Sequence, residues 1–167
     1  MSTPDFILSL REKIGHDLLW LIGVTAYVED DEGRVLLGRR SDNGMWALVC
    51  GINEPGEEPA DTVAREVAEE TGVDVVPVAL ASVSAQHDET VYANGDRTQY
   101  LDLTFVCRLA EGGRVEPRVA DDESLEVGWF FPDALPEPFS PTIRRRMARV
   151  REWREAGSGA ALFSFGE

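Results

Sequence analysis

The chain has little of what builds a crosslinked or thiolate-metal scaffold: two cysteines, Cys50 and Cys107, in 167 residues. They lie far apart and match no metal-ligand spacing, which excludes a disulfide framework and a structural zinc site. Lysine is nearly missing, Lys13 standing alone, and 16 Lys plus Arg face 31 Asp plus Glu for a formal charge of −15. Binding a long polyanion such as DNA needs a broad basic surface, so that class of partner is excluded. A small phosphorylated ligand is not, because metal ions bridge acidic side chains to phosphate oxygens. No apolar run approaches the roughly 20 residues that span a bilayer, and Met1-Ser2-Thr3-Pro4-Asp5 lacks the basic start and apolar stretch of a secretory signal. A soluble, cytoplasmic protein with no membrane partner is the expectation. Repeats and low-complexity blocks are also missing.

What is present fits one domain over residues 1–167, a length sufficient for one well-buried core and too short for two. Apolar residues at 43% and charged residues at 28% are ordinary globular values. A helix is expected over about 3–15, with Pro4 in its first turn, Phe6, Ile7, Leu10 and Ile14 at helical spacing and Gly15 at its end. Leu21 to Val28 and Arg34 to Arg39 read as a strand pair joined by the turn Asp30-Asp31-Glu32-Gly33. Met45 to Val49 reads as a short strand, Cys50 to Glu58 as a loop, and Pro59 to Thr71 as a helix closed by Gly72. Asp74 to Ser84, Gln99 to Leu109 and Leu125 to Phe130 complete the strands, with a loop carrying Asn94-Gly95 between the first two. Ser140-Pro141 opens a last helix with an Ile143, Met147 and Val150 stripe. The core spans about 18–156. The tail after Gly157-Ser158-Gly159 reads as loose, with Leu162, Phe163 and Phe165 as side chains available to dock. Helices set between strand pairs, without strict alternation, predict an α+β fold.

The densest chemistry lies between Gly51 and Val73. On the helix, Glu66, Glu69 and Glu70 fall in one sector, because residues three and four apart share a face. Ala60, Val63, Ala64 and Val67 occupy the adjoining sector and are expected to pack on the sheet. Like charges at this spacing cost a bare helix a few tenths of a kcal/mol per pair, a cost that a bound cation offsets. Carboxylate oxygens are the ligands that Mg²⁺ and Mn²⁺ prefer. Water attacking a diphosphate meets a phosphorus shielded by negative oxygens, and metal ions relieve that shielding. Read alone, Glu-x-x-Glu-Glu is the pattern of a solvated helix face. Gly51, Gly56, Glu57 and Arg65 at fixed offsets set this one apart.

This segment resembles the Nudix box, matching Gly51, Glu57, Arg65, Glu66, Val67, Glu69, Glu70, Gly72 and Val73 at the family's defining positions. The flanking order of elements is also similar, over roughly residues 20–155. The resemblance implies an α/β/α sandwich around a mixed β-sheet, here with an added N-terminal helix, and hydrolysis of a nucleoside diphosphate linked to another moiety. By position it makes Glu66 and Glu70 the principal ligands of Mg²⁺ or Mn²⁺, with Glu69 close beside them and the Gly51 carbonyl as a further ligand. Arg65 and Glu57 would join loop to helix as an ion pair. The family commonly has Pro-Gly-Gly leading into the box, whereas this chain has Val49-Cys50-Gly51, which implies a slightly altered loop.

Outside the box, the acidic run Asp121-Asp122-Glu123 supplies Glu123 as a candidate base or extra ligand. Arg39 and Arg97 are candidates for bidentate phosphate binding, and Trp46 for stacking on a base, although tryptophan in a short apolar strand is commonly core. The arginines of 144–154 spread around their helix and read as a solvated face. The expected partner is a small nucleotide-type substrate, a nucleoside triphosphate or an ADP-ribose-like compound, and a homodimer through the N-terminal helix or an edge strand is left open. Two rivals remain: a non-catalytic nucleotide-sensing module, whose mark would be a degraded box, and a diphosphate isomerase using Cys50.

Overall fold

Strands that are apolar on both faces belong in the middle of layered structures, and that decides the architecture. The computed structural model of the chain describes residues 3–164. In chain order the elements are α1 (Asp5–Ile14), β1 (Leu19–Val28), β2 (Val35–Arg40), β3 (Trp46–Ala47), β4 (Cys50–Ile52), α2 (Pro59–Thr71), β5 (Val75–Ala85), β6 (Thr90–Val91), β7 (Arg97–Leu109), β8 (Ser124–Phe130) and α3 (Pro141–Glu155). One mixed sheet runs β4-β1-β7-β5, with β6 added to β7 and only the β1–β7 pair parallel. A second, antiparallel sheet runs β3-β2-β8.

Alternation along β1 sends its side chains to two cores. Val24, Ala26 and Val28 join Val63 and Val67 of α2 in one cluster. Tyr27 joins Ile143, Val150 and Trp153 of α3 in the other. The mixed sheet is thereby packed between α2 and α3, an α+β sandwich with α1 appended. Pro59 stands in the first turn of α2 and Gly72 closes it at φ 68°, a left-handed conformation that favours glycine. Ser140 caps α3, its hydroxyl accepting the Thr142 N–H at 3.4 Å. Of the apolar stripe expected on α1, Ile7 is the buried residue. The helix is held instead by Arg11, which donates to the carbonyls of Gly15, Asp17 and Arg97. No helix among the described residues is long and apolar enough to cross a membrane.

Several sequence expectations are corrected. β1 and β2 are not a hairpin within one sheet: beyond their connecting turn they share only the bridge Glu29–Val35. Each is apolar on both faces and takes the middle of its own sheet. Cys50–Ile52 is a strand, not loop, antiparallel to β1 with Gly51 opposite Val24. Three residues around a glycine are too short to show alternation. The loop after β5 contains β6, and β7 begins at Arg97. The tail is anchored at Leu162, which accepts from the Val83 N–H and donates to the Ala81 carbonyl. Phe163 is exposed, and Phe165 lies outside the described residues.

Candidate active site

Gly51 and α2 meet at the edge of the mixed sheet. A Cβ on Gly51 would overlap the Glu66 carboxyl, so only glycine lets β4 lie against that side chain. Glu66 is 3% exposed. Burial pushes its carboxyl up to about 7, while the Arg65 guanidinium pulls the other way, donating to Oε1 at 3.0 Å. One helical turn on, Glu70 is pushed up to about 8, first by burial and then by the neighbouring carboxylates of Glu66 and Asp121. Glu69 is the exposed member of the three, and accepts from Arg65 Nη1 at 3.0 Å.

Arg65 grips the loop ahead of the helix. Its Nε and Nη2 donate to the two oxygens of Glu57 at 2.9 and 3.1 Å, a bidentate pair that holds the Glu57 carboxyl below the usual range. Asn53 adds a second tie, donating to the Glu57 carbonyl at 3.0 Å and the Thr62 hydroxyl at 2.7 Å.

Among the described residues, no three His, Cys, Asp or Glu side chains converge into a ready-made cage. The donor set nevertheless fits a hard divalent cation. Mg²⁺ characteristically takes one or two carboxylates and completes its shell with water and substrate phosphate. A buried carboxyl, Glu66, and a half-buried one a turn later, Glu70, which makes no hydrogen bond or ion pair with another described residue, are an electrostatic deficit that such an ion removes.

The segment 120–123 closes over the C-terminal half of α2, with Ala120 N–H donating to the Glu70 carbonyl at 3.3 Å. Asp121, Asp122 and Glu123 line a cleft of about 690 Å³ together with Glu69, Ser41, Arg114 and Arg118. Glu123 is therefore beside the box, its N–H bonded to the Asp121 carboxylate and its carbonyl to Ser41 N–H. Asp121 of the same run adds its charge to that of Glu66 on Glu70, so it joins Glu123 as an acid beside the box.

The other expected substrate contacts are placed differently. Arg39 is spent within its own sheet, donating to Glu126 at 2.6 Å and to the Gly44 carbonyl at 3.1 Å. Its neighbour Arg40 takes the opposite face of β2, pairs with Asp42, and lies close enough for its charge to act on Glu70. Alternation alone could have separated the two arginines had the faces of β2 been known. Arg97 donates bidentately to Glu89 at 2.8 and 2.9 Å. It lies six residues along β7 from Leu103, the partner of Val24, about 20 Å from the Gly51 row at strand rise. Trp46 is corrected: it is 7% exposed and stands edge-on to Phe130 at 4.8 Å, a core residue with no face left for a base.

On the opposite side of β4 from Gly51's neighbour Glu66, Cys50 enters a polar cluster that composition and spacing did not reveal. Asp102, 5% exposed, accepts from Thr25 at 2.7 Å, from Thr104 at 3.0 Å and from Arg146 at 2.8 and 3.3 Å. Arg146 Nη1 also donates to Cys50 Sγ at 3.2 Å, and the thiol donates to the Leu48 carbonyl at 3.2 Å. Burial pushes the Cys50 thiol up, so it stays a neutral thiol.

A carboxylate row on a sheet-backed helix, its first member buried against a strand glycine, is the arrangement of a phosphate-processing hydrolase. The family model of the NUDIX domain matches residues 20–153, and the chain belongs to the Nudix family of diphosphate hydrolases. It is 38% identical to a MutT-like protein of Streptomyces ambofaciens, over 75% of this chain and 73% of that one. It is 30% identical to the 8-oxo-dGDP phosphatase NUDT18 of Mus musculus over 81% of this chain, but spans only 38% of that relative's length. The crystal structure of a MutT Nudix hydrolase from Burkholderia pseudomallei superposes with a TM-score of 0.65 at 29% identity, covering 79% of this chain and 98% of the other.

Proposed function

We propose that this chain hydrolyses the diphosphate linkage of a small nucleotide-type substrate, a nucleoside triphosphate or an ADP-ribose-like compound, with Mg²⁺ or Mn²⁺. The observation that carries the reading is the carboxyl pair one turn apart on α2, Glu66 buried against Gly51 and Glu70 half-buried beside it, with Glu70 in no ion pair with another described residue. These two are the principal ligands, with Glu69 and the Gly51 carbonyl beside them. A bound divalent ion would neutralise phosphate charge and lower the pKa of an attacking water.

The chain's own residues supply the rest. Arg65 and Glu57 fix the loop against α2 so that the ligand row keeps its geometry. Glu69 and the loop carrying Asp121 and Glu123 line the adjoining cleft and are the sources of a general base, whose task is to take a proton from water at hydrogen-bond distance. Arg40, on the acidic side of β2, is the cation placed to meet a substrate phosphate. An undamaged box speaks against a purely sensing module, and a Cys50 thiol pushed up and held by Arg146 and the Leu48 carbonyl speaks against the isomerase.

The test is turnover across a panel of nucleoside triphosphates, ADP-ribose, nucleotide sugars and dinucleoside polyphosphates, extended by the name of the mouse relative to 8-oxo-dGDP. Release of nucleotide or phosphate with Mg²⁺ or Mn²⁺, abolished by chelator, is expected from one class. Silence across the panel with metal binding intact would overturn the hydrolytic reading.

A further inference from the structure

We propose that Arg146 of α3 is a positioning residue for the ligand row: through the Cys50 thiol it fixes β4, and so sets where Gly51 presents its backbone to the divalent ion. The inference rests on the metal-dependent reading above.

β4 is a weak element by itself. It has three residues at the sheet edge, it includes a glycine, and it pairs on one side only, with β1. Short edge strands with a glycine carry little intrinsic rigidity. The ion pair Arg146–Asp102 underneath it is far more constrained. Asp102 takes four donor contacts from three residues, and Arg146 spreads its three nitrogens over Asp102, Cys50 and Thr142. A guanidinium is a planar fork, so fixing two nitrogens on a carboxylate fixes where the third points. Here Nη1 points at Sγ of the residue before Gly51.

The proton bookkeeping is consistent. The thiol hydrogen goes to the Leu48 carbonyl and the Thr25 hydroxyl hydrogen goes to Asp102. A sulfur lone pair is therefore left to accept from Arg146. The link joins residues 96 apart in sequence, tying the α3 layer to the strand that faces α2. Since successive residues of a strand face opposite ways, Cys50 anchors β4 from below while Gly51 meets Glu66 from above.

A buried charged pair costs desolvation that apolar packing of equal volume would avoid. A purely structural role for the pair would need Thr25, Thr104 and Asp102. It would not need the guanidinium to reach the thiol.

Cys50→Ala is the informative variant, because it removes the acceptor on β4 and leaves the Arg146–Asp102 pair whole. Cys50→Ser returns an acceptor of similar size. Mn²⁺ affinity of the full chain, read by electron paramagnetic resonance titration, is the primary measurement, with the Mg²⁺ activation midpoint and KM at saturating metal beside it. The expected result is Mn²⁺ binding weakened by about ten-fold in Cys50→Ala, the scale seen when residues behind a metal ligand are removed. The Mg²⁺ midpoint should rise in step, KM should stay within about two-fold, and Cys50→Ser should recover most of the affinity. Unchanged Mn²⁺ affinity in Cys50→Ala, including with a lowered melting temperature, overturns the proposal and leaves the metal reading standing. Absence of Mn²⁺ binding in the unsubstituted chain overturns both.

Discussion

Two acidic sites flank β4, and they are built on opposite terms. Above the strand, Glu66 and Glu70 share one arginine contact, from Arg65 to Glu66, and both carboxyls are pushed upward by burial. Below it, Asp102 accepts four donor contacts, two of them from a bidentate arginine. Buried charge that is fully hydrogen-bonded holds a structure in one arrangement, whereas buried charge left short of partners waits for a ligand. The difference separates what the fold uses for itself from what it reserves for chemistry.

The sharpest way to break that comparison is to neutralise one acid on each side. Glu70→Gln keeps shape and removes a ligand charge. Turnover should fall by at least about a hundred-fold, as a lost metal contact implies. In chelator at neutral pH the variant should be about as stable as the parent, since the Glu70 carboxyl, pushed up to about 8, is mostly uncharged there, as the amide is. Near-normal turnover would remove Glu70 from the metal.

Asp102→Asn should behave the other way round. It leaves Arg146 buried and uncompensated, a class of change that destabilises by about 3 kcal/mol or more. Urea unfolding would show this as a lower midpoint at unchanged slope. A variant as stable as the parent would mean that the lower cluster is as open to outside partners as the upper one, and the contrast would collapse.

A smaller effect is expected at the adjacent arginines of β2. Arg40→Ala removes the cation that faces Glu70 and should raise KM by about ten-fold, in line with one lost charge-assisted hydrogen bond. Arg39→Ala loses only its contacts to Glu126 and Gly44 and should stay within about two-fold. Equal effects from the two would show that alternation along β2 does not decide which arginine meets the substrate.

These residues also mark how far a sequence can be read. The helix Pro59–Thr71 is legible to its bounds, because proline, periodic valines and a closing glycine all speak locally. The box is legible for the same reason: its residues lie on one helix and the loop before it. What escapes is long-range. The thiol of Cys50 meets a guanidinium 96 residues away, and no local pattern encodes that meeting. β1 and β2 look like one hairpin because a turn signal says that strands are neighbours in sequence and nothing about which sheet each one joins. Residue type alone points Trp46 and Arg39 at substrate, and burial and pairing decide such roles. An acidic run does not say which of its members acts on the helix, and Asp121 does.

The smallest effect belongs to a partly exposed acid–base pair at the rim of the cleft beside the ligand row. Asp74 and Arg114 are both partly exposed, and the guanidinium and the Arg114 N–H hold the Asp74 carboxyl at about 2. An unfolded aspartate titrates near about 3.9. A carboxyl depressed in the folded state stabilises it above the unfolded value, and that contribution fades as pH falls from about 4 through about 2. The melting temperature of the parent should therefore exceed that of Asp74→Asn by a small margin at pH 6. The margin should shrink towards zero at pH 2 and narrow with added salt, as exposed pairs do. A large, salt-insensitive margin would mean that the pair, which also ties the Arg114 segment to the end of α2, belongs with Asp102 among the contacts that hold the fold.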